Sequence, residues 1–360
     1  MRRLMFQRLA TIVVLLLGAA TASAIPAFSR REAVPCSTCH HRANRLNQIG
    51  LNYYRQGFRF AVAVPAKEAK VEATKIDSFG NYFTIQGILD YKKKENNAYT
   101  TSNKITLFGG GALNEKWSFL GETTVNPPDA QEVADLFIGY TTGTESQYAF
   151  LRAGQMLPLM LVDNPLEIAN DHSAAFPRDR RQGAAAGYNF GKAWIEGTLV
   201  APAGASTRNN VDAVVNGQYI FTGNGSTLGA YAWTGKFNQD SKTSDDYNRV
   251  GVVANFNELK KLLIAVGYSG GKGDSGSGGN AKTKGAFAQA EYLFSDRTTL
   301  FLHVLKADSN TSISGDSQTT YTASLNYWPY EAVALAAQLT SDRLASKTEN
   351  AFRLRLRLMF

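Results

Sequence analysis

The chain has 360 residues, a formal net charge of +8 and two cysteines. Its lysines and arginines are spread along the sequence instead of forming the basic clusters that follow a phosphate backbone, so nucleic acid is not expected as a partner. Charged residues make up 19% of the chain, below the ~25% of soluble domains. Together with 20 Phe, 16 Tyr and 32 Gly, this composition favours strands and turns in contact with lipid.

Residues 1–24 have the features of a secretory signal peptide. A start with three arginines precedes the apolar run 9–17, and Ala22-Ser23-Ala24 forms a small-residue cleavage site. The apolar run is too short to span a bilayer, and no later stretch reaches ~18 consecutive apolar residues. Export without a transmembrane helix is therefore expected.

The next feature is Cys36-Ser37-Thr38-Cys39-His40, which contains both cysteines of the chain. A C-x-x-C-H run predicts one covalent haem c, with Cys36 and Cys39 joined to its vinyl groups and His40 as the proximal ligand of the iron. The alternatives are a strained disulfide and a thioredoxin-like redox pair, which would need a βαβ context. We assign no catalytic residue.

A short helix is predicted within residues 41–60, because Leu46, Ile49, Gly50 and Tyr53 recur at helical spacing and Gly57 is expected to end it. The haem c segment is thus assigned to residues 25–60. About 35 residues are too few to bury a haem alone, so we expect this segment to pack against the rest of the chain. Residues 61–77 read as a linker, and residues 78–360 as the next domain.

From Phe79 onward the pattern has period two, and the last strand decides the class of the fold. Arg353, Arg355 and Arg357 alternate with leucines and phenylalanines, which suits a wall with water on one side and lipid on the other. We predict an all-β fold, a transmembrane antiparallel barrel of about 16 strands with a short helical haem c segment at its N-terminus. The predicted strands are 79–91, 103–113, 116–126, 132–142, 147–156, 183–190, 193–202, 211–222, 226–237, 247–257, 261–270, 283–294, 297–307, 318–328, 331–341 and 350–360.

The predicted connections alternate between short and long, which is typical of an outer-membrane barrel with short periplasmic turns. The longer ones are 92–102, 156–182, 270–282 and 307–317. Both termini are then expected in the periplasm. A soluble β-sandwich is the alternative, and it explains neither the arginines of the last strand nor the asymmetry of the loops.

The connection 156–182 is apolar at its start and charged at its end. Folded into the barrel, it would set Asp163, Glu167 and Asp171 against Arg178, Arg180 and Arg181, as in a porin constriction. It also contains candidates for the second axial ligand of the haem iron. These candidates are His172, Met156 and Met160, together with His303 on a later strand, and an open or water-bound site is the alternative.

Three carboxylates are expected to face the lumen, namely Asp90, Asp135 and Glu291. They could hold a hard cation briefly. The plainer interpretation is that they wet the lumen.

The N-terminal part resembles the fused monohaem cytochrome-porin family of outer-membrane iron oxidases. The resemblance rests on Pro26-Ala27-Phe28-Ser29-Arg30, on Cys36 to His40, and on Leu46-Asn47-Gln48-Ile49-Gly50 leading to Gly57-Phe58. The barrel resembles that family in architecture only. The segment from Gly154-Gln155-Met156-Leu157-Pro158 through Arg178 to Gly183 also resembles the inward loop of phosphate-selective porins.

This resemblance implies a protein in the outer membrane of a Gram-negative cell that passes electrons from an extracellular donor, such as Fe(II), through haem c to a periplasmic carrier. An oxidoreductase activity of that kind is what the resemblance implies, with lipid, the donor and the carrier as partners. The haem segment would lie on the periplasmic side or in the lumen. The alternatives are a solute or anion porin whose haem segment is a plug or a redox sensor, and a soluble periplasmic cytochrome.

Overall fold

The structure is a computed structural model. It describes residues 27–32, 34–35, 38–42, 45–59, 82–95, 98–125, 132–144, 146–159, 161, 180–201, 211–222, 225–240, 243–259, 261–272, 282–308, 311, 317–330, 333–344 and 347–359. The predicted signal peptide and the whole predicted linker, residues 61–77, lie outside this part of the chain. Within it, no helix is long and apolar enough to cross a membrane.

Two short helices and a small ribbon precede the barrel, whose strands follow one another in chain order. The elements are α1 (Ala27–Glu32), β1 (His40–Arg42), β2 (Arg45–Leu46), α2 (Gln48–Arg55), β3 (Phe83–Lys94), β4 (Tyr99–Ala112), β5 (Trp117–Val125), β6 (Glu132–Gly143), β7 (Tyr148–Met156), β8 (Arg181–Asn189), β9 (Ala193–Val200), β10 (Asp212–Ile220), β11 (Thr227–Asp240), β12 (Thr243–Leu259), β13 (Leu262–Lys272), β14 (Lys282–Ser295), β15 (Thr298–Asp308), β16 (Ser317–Tyr330), β17 (Val333–Arg343) and β18 (Thr348–Met359).

Strands β3 to β18 form a closed antiparallel barrel of sixteen strands. Each strand pairs with its neighbours along the chain, and β18 closes the barrel on β3. The predicted barrel is confirmed, and every strand boundary lies within four residues of the predicted one. Period-two patterns locate these strands well because each strand separates two unlike environments.

The two ends of the barrel differ in the length of their connections. We call the end with connections 113–116, 144–147, 190–192, 221–226, 260–261, 296–297 and 331–332 the short-turn end, and the opposite end the long-loop end. The long-loop end carries 157–180 and 201–211, but the predicted long connection 92–102 is wrong. There β3 and β4 extend further than predicted and leave only residues 95–98 between them.

Inward and outward residues alternate along the strands. Leu354 is 43% exposed on the outside of β18, whereas its neighbours Arg353 and Arg355 point inward. Leu356 and Leu358 depart from the simple pattern, since they are buried in a cluster with Val333. An arginine on a lipid-facing position near the bilayer midplane would cost about 2–4 kcal/mol, so the inward orientation of the arginines is the one compatible with a membrane.

Exposed aromatic side chains collect near the two rims of the outer surface. Those near the short-turn end are Phe83, Trp117, Phe190, Tyr219, Phe221, Phe256, Tyr292, Phe294, Tyr327 and Tyr330, and those nearer the long-loop end include Tyr91, Tyr99, Tyr268 and Tyr321. Aromatic girdles at both interfaces, with an apolar band between them, are typical of transmembrane β-barrels.

Helix α2 begins at an N-cap and ends at a glycine. The side chain of Asn47 accepts a hydrogen bond from the Gly50 backbone N–H at 2.9 Å. At the other end, Phe58 N–H donates to the Tyr53 carbonyl at 2.8 Å and Gly57 adopts φ +69°, which is the Schellman arrangement. The helix differs from an ordinary amphipathic one, since Ile49 is 45% exposed while Leu51, Tyr53 and Arg55 are buried.

Candidate functional site

The inner wall between β9 and β15 carries a buried apolar cluster, which we call the apolar wall, among buried polar residues such as Asn216, Arg249 and Gln289. One buried cluster joins the wall residues Trp194, Val200, Val214, Tyr231, Trp233, Val253, Ala265, Phe287 and Leu305 to Leu159 and Leu161 of the long connection. Leu161 lies so close to β11 that a Cβ at Gly229 would be 2.8 Å from its Cδ2. The start of this connection therefore folds inward and covers part of the lumen wall.

A second part of the wall contacts the N-terminal segment, by which we mean the described residues between 27 and 59. Phe28 stacks on Phe58 at 5.1 Å between ring centroids and meets the inner-wall ring of Phe108 edge-on at 5.5 Å. Tyr53 and Phe58 are buried in one cluster with the wall residues Leu120, Phe137, Met156 and Ala185. The segment thus occupies part of the lumen beside β4 to β8.

Arg31 joins the N-terminal segment to β4. Its guanidinium donates to the Gly110 carbonyl at 2.9 Å and to Tyr53 Oη, and pairs with Glu32 at 2.8 Å. This approach is open only because β4 carries glycines here, since a Cβ on Gly111 would overlap the Arg31 guanidinium. A glycine in a strand often marks such a close contact.

Two arginines hold the segment at the C-terminal end of α2. Arg152 of β7 pairs with Glu196 of β9, and both are buried; Arg152 also donates to Tyr54 Oη at 3.3 Å. The Arg55 guanidinium lies 3.9 Å from the centroid of the Trp194 ring. Tyr54 is buried beside Arg152, and this burial raises the pKa of its phenol to about 12. The contacts involve β7 and β9 and fix the helix against the wall.

The turn that contains Cys39 packs against α2. The Asn47 backbone N–H donates to the Cys39 carbonyl at 2.9 Å, and Asn47 Nδ2 donates to the Thr38 carbonyl at 2.9 Å. A Cβ on Gly50 would overlap the Cys39 carbonyl oxygen. One asparagine and one glycine therefore tie the second half of the C-x-x-C-H motif to the helix.

Of the three side chains predicted to hold a haem, the structure describes that of Cys39. Cys39 is a free and partly exposed thiol, and burial together with the nearby Glu32 raises its pKa to about 11, which keeps it protonated. Cys36 and the side chain of His40 lie outside the described residues, so the motif as a whole stays a prediction. Within the described part of the chain, no three His, Cys, Asp or Glu side chains gather as a metal site.

The candidates for the second axial ligand are placed apart. Met156 is 1% exposed and packs with Tyr53 and Phe58 of the segment. His303 faces the lumen as predicted, packed beside the rings of Phe287 and Phe301, but β15 stands eight strands from β7, on the opposite side of the barrel. His172 and Met160 lie outside the described residues.

The remaining sector, from β16 through β18 to β3, carries the arginines. Asp90 binds Arg355 through two contacts of 2.7 and 2.6 Å, while Arg353 stands beside Lys92 across the β18–β3 pair. Hydroxyl and amide side chains line the neighbouring β16 and β17, namely Thr322, Ser324, Asn326 and Gln338. Because β18 and β10 are eight strands apart, this basic sector faces the apolar wall under the inward connection.

Two of the three carboxylates expected to face the lumen are paired with arginines. Asp90 binds Arg355, and Asp135 accepts from Arg180 Nε at 3.1 Å. Glu291 is 1% exposed in the inner wall of β14. Of the predicted constriction charges, Arg181 binds Asp212 at 2.6 Å, while Asp163, Glu167, Asp171 and Arg178 lie outside the described residues.

Sequence reasoning missed three features of this lumen. They are the apolar inner wall, the glycines of β4 that admit Arg31, and the buried Arg152–Glu196 pair. Signals for the first two exist in the chain. Apolar neighbours such as Val214-Val215 and Val252-Val253 indicate strands that are buried on both faces, and the run 109–111 of three glycines indicates close approach.

Comparisons with known proteins find likeness in structure. No protein-family model and no curated protein matches the chain. Among solved structures, a loop-deletion mutant of the outer membrane protein OmpT of Vibrio cholerae matches with a TM-score of 0.59 and 12% identity, over 77% of this chain and 98% of that one. OmpF of Salmonella typhi, in complex with daunomycin, matches with a TM-score of 0.58 and 11% identity, over 77% of this chain and 97% of that one.

An anion-selective porin from Comamonas acidovorans also matches, with a TM-score of 0.58 and 13% identity over 77% of this chain and 98% of that one. Identities this low establish the fold alone. The chain has the porin fold, a closed barrel of sixteen antiparallel strands, and the first residues of the connection after its fifth barrel strand fold inward.

Proposed function

We propose that this protein is an outer-membrane porin that admits small anionic solutes beside its own N-terminal segment. The observation that carries the proposal is the basic sector of the inner wall, where Arg353, Arg355, Arg357 and Lys92 line one side of the lumen. Positive charge along a channel wall raises the local concentration of anions and repels cations. The N-terminal segment packs on wall residues of β5 to β8 and not on those of this sector.

The membrane location rests on the outside of the barrel. Outward aliphatic side chains lie between two rims of exposed aromatic rings, and the structurally similar proteins include outer-membrane proteins and porins. Short turns on one side and longer loops on the other are the pattern of bacterial outer-membrane barrels, with the short turns in the periplasm. The N-terminal segment would then enter the lumen from the periplasmic side.

Osmotic swelling of liposomes that contain the protein tests the proposed permeability. Gluconate and N-methylglucamine are an anion and a cation of similar size, so their rates of entry differ mainly through charge. The proposal expects gluconate to enter several-fold faster. Equal rates, or faster entry of N-methylglucamine, would contradict it, and liposomes without protein provide the baseline.

The N-terminal segment is proposed to bind one haem c through Cys36 and Cys39, with His40 as the proximal ligand of the iron. When bound, the haem would supply a one-electron Fe(III)/Fe(II) couple. Asn47 and Gly50 would hold the attachment turn on α2, and Arg31 and Arg152 would hold the segment on the wall. The pyridine haemochrome spectrum of protein matured in a haem c-competent host should show one haem for each chain, and Cys36→Ala or Cys39→Ala should abolish stable attachment.

A second function, electron transfer from an extracellular donor to a periplasmic carrier, is favoured by the contact between the segment and the lumen wall. A haem held there would lie inside the ~30 Å hydrocarbon thickness, where a soluble donor such as Fe(II) entering from outside could meet it. Stopped-flow reduction of the haem by Fe(II), added outside vesicles with oriented protein, tests this function. Reduction within milliseconds to seconds supports it, and a haem that stays oxidised while anions permeate leaves the segment as a plug or redox sensor.

A further inference from the structure

Three inner-wall residues of the basic sector stand side by side. Gln338 of β17 pairs with Arg353 of β18, and Arg353 pairs with Lys92 of β3. Directly opposite residues in an antiparallel pair bring their side chains within ~5 Å at the Cβ atoms. Two cations and one amide therefore meet on the lumen face of three adjacent strands.

Three carboxylates lie near this trio, and the charges of Asp342 and Glu349 act on Lys92 as that of Asp90 acts on Arg353, but each carboxylate forms its closest contact with another group. Asp90 is held by Arg355 at 2.6 and 2.7 Å, Asp342 accepts from Thr320 Oγ1 at 2.6 Å, and Glu349 pairs with Lys347 at 2.7 Å. Among the described residues, neither Lys92 nor Arg353 forms an ion pair with a carboxylate. Like charges directly opposite each other destabilise a sheet, and an anion between them removes that repulsion.

Hydrogen-bonding atoms beside the two cations also lack partners within the described part of the chain. Arg353 Nε and Gln338 Oε1 are buried without one, although Gln338 Nε2 donates to Thr340 Oγ1 at 3.1 Å. Thr322 Oγ1, on the neighbouring strand β16, is also buried without a hydrogen-bond partner among the described residues. Gln338 and Thr322 are only 6% and 4% exposed, and buried polar atoms of this kind normally have partners.

These atoms define the chemistry of a ligand. Lys92 and Arg353 donate charge-assisted hydrogen bonds, which suit a carboxylate. Gln338 Oε1 accepts, which suits a hydroxyl group close to that carboxylate. We propose that Lys92, Arg353 and Gln338 form a binding site for small hydroxy-substituted carboxylates on the lumen wall. The inference deepens the proposed anion permeability and rests on it.

Block of the ion current in planar bilayers tests this site with the full chain. Lactate and propionate have the same charge and carbon number and differ by one hydroxyl group. The site predicts that lactate reduces the chloride current at a concentration roughly 3- to 10-fold lower than propionate does, since a buried unpaired acceptor discriminates by about that much. Gln338→Leu should abolish this difference.

Arg353→Gln should weaken block by both acids about tenfold, whereas Arg353→Lys should retain most of it. Lys284→Gln removes the same charge from a lysine that pairs with Asp308 at 3.5 Å on the outward side of β14, and it should leave block by both acids unchanged. Migration of the unheated protein in detergent gels identifies the variants that fold.

Equal block by lactate and propionate, with chloride still favoured over potassium, would overturn the hydroxycarboxylate site and leave the anion porin intact. A current carried by potassium would overturn the proposed function itself. If the protein carries no current, saturation-transfer NMR in detergent makes the same comparison at equilibrium. There a stronger lactate signal that Gln338→Leu abolishes supports the site, and equal signals overturn it.

Discussion

The two sides of the lumen use arginine differently. On the side of β7 to β10, Arg152 pairs with Glu196, Arg181 pairs with Asp212, and Arg55 of the N-terminal segment stacks on Trp194. On the side of β17, β18 and β3, Arg355 is paired with Asp90 but Arg353 stands next to Lys92. The first side matches charge with charge inside the protein, and the second leaves positive charge facing the lumen.

This difference separates a holding surface from a binding surface. Buried arginines that have their own carboxylates fix the segment and the wall in one arrangement, because breaking such a pair leaves an uncompensated charge. Cations beside each other with unpartnered hydrogen-bonding atoms are better satisfied by a mobile anion. The holding side should therefore respond to mutation through stability, and the basic side through permeation.

The largest effect on the holding side is expected from Arg152→Met. The change leaves Glu196 buried without its partner and removes a hydrogen bond to Tyr54, so we expect a loss of about 3–5 kcal/mol. The temperature at which the barrel loses its heat-modifiable migration should fall clearly. Arg180→Met is the control, because its pairs are 40% exposed at the arginine and worth about 0–1 kcal/mol; equal falls for both variants would contradict the holding role of Arg152.

The next effect concerns the contact between the cysteine turn and α2. Gly50→Ala places a methyl group on the Cys39 carbonyl oxygen, so the turn must move and the covalent haem content should fall several-fold. Gly87→Ala is the matched control, because a Cβ there meets nothing within 4 Å. Haem per barrel is measured by the pyridine haemochrome spectrum, and an unchanged haem content in Gly50→Ala would argue against attachment at this turn.

Alkaline pH should release α2 from the wall. Burial raises the pKa of Tyr54 to about 12 from an ordinary value of 10, so its contribution to docking is fully present below pH 10. That contribution is lost as pH rises through about 12, because the docked site favours the neutral phenol. Fluorescence of Trp194, which stacks on Arg55, should report the release.

Tyr54→Phe sharpens this test because phenylalanine has no proton to lose. The alkaline midpoint of the fluorescence change should move upward in this variant. A midpoint that is the same in both proteins would show that another group controls the docking of the helix.

The smallest effect is expected from Asn47, which caps α2 and also binds the Thr38 carbonyl. Asn47→Ala should destabilise the segment by about 1 kcal/mol. Asn47→Asp keeps the acceptor for the Gly50 N–H but loses the donor to Thr38. Proteolysis of the N-terminal segment should be fastest in Asn47→Ala. Equal rates in the wild type and Asn47→Ala would contradict a stabilising role for the Asn47 cap.

The barrel could be predicted from the sequence because alternation along each strand is a local signal. The three arginines of β18 even identified which face is inside. Contacts that join distant parts of the chain could not be predicted in the same way. Arg152 and Glu196 are 44 residues apart, and the sequence around each residue indicates only a charged side chain that faces the lumen. The cysteine motif is visible in the sequence, whereas the role of Gly50 beneath it appears only when the helix is folded against the turn.

The lumen wall shows a second limit of period-two reasoning. Alternation predicts a polar inside, but β10 and β12 place Val214 and Val253 on the inner face, under Leu159 and Leu161. Apolar residues on a strand face indicate that the face is buried, but not what buries it. Here Leu159 and Leu161 cover the inner face, whereas lipid is expected to cover the outer face.

The reversal potential of the full-length protein in a planar bilayer, under a gradient of potassium chloride, tests the account most directly. Because the basic sector favours anions, we expect a reversal potential with the sign of the chloride equilibrium potential. The potential should shift toward zero in Arg353→Gln and stay unchanged in Lys284→Gln. A potential of the sign set by potassium would contradict the account.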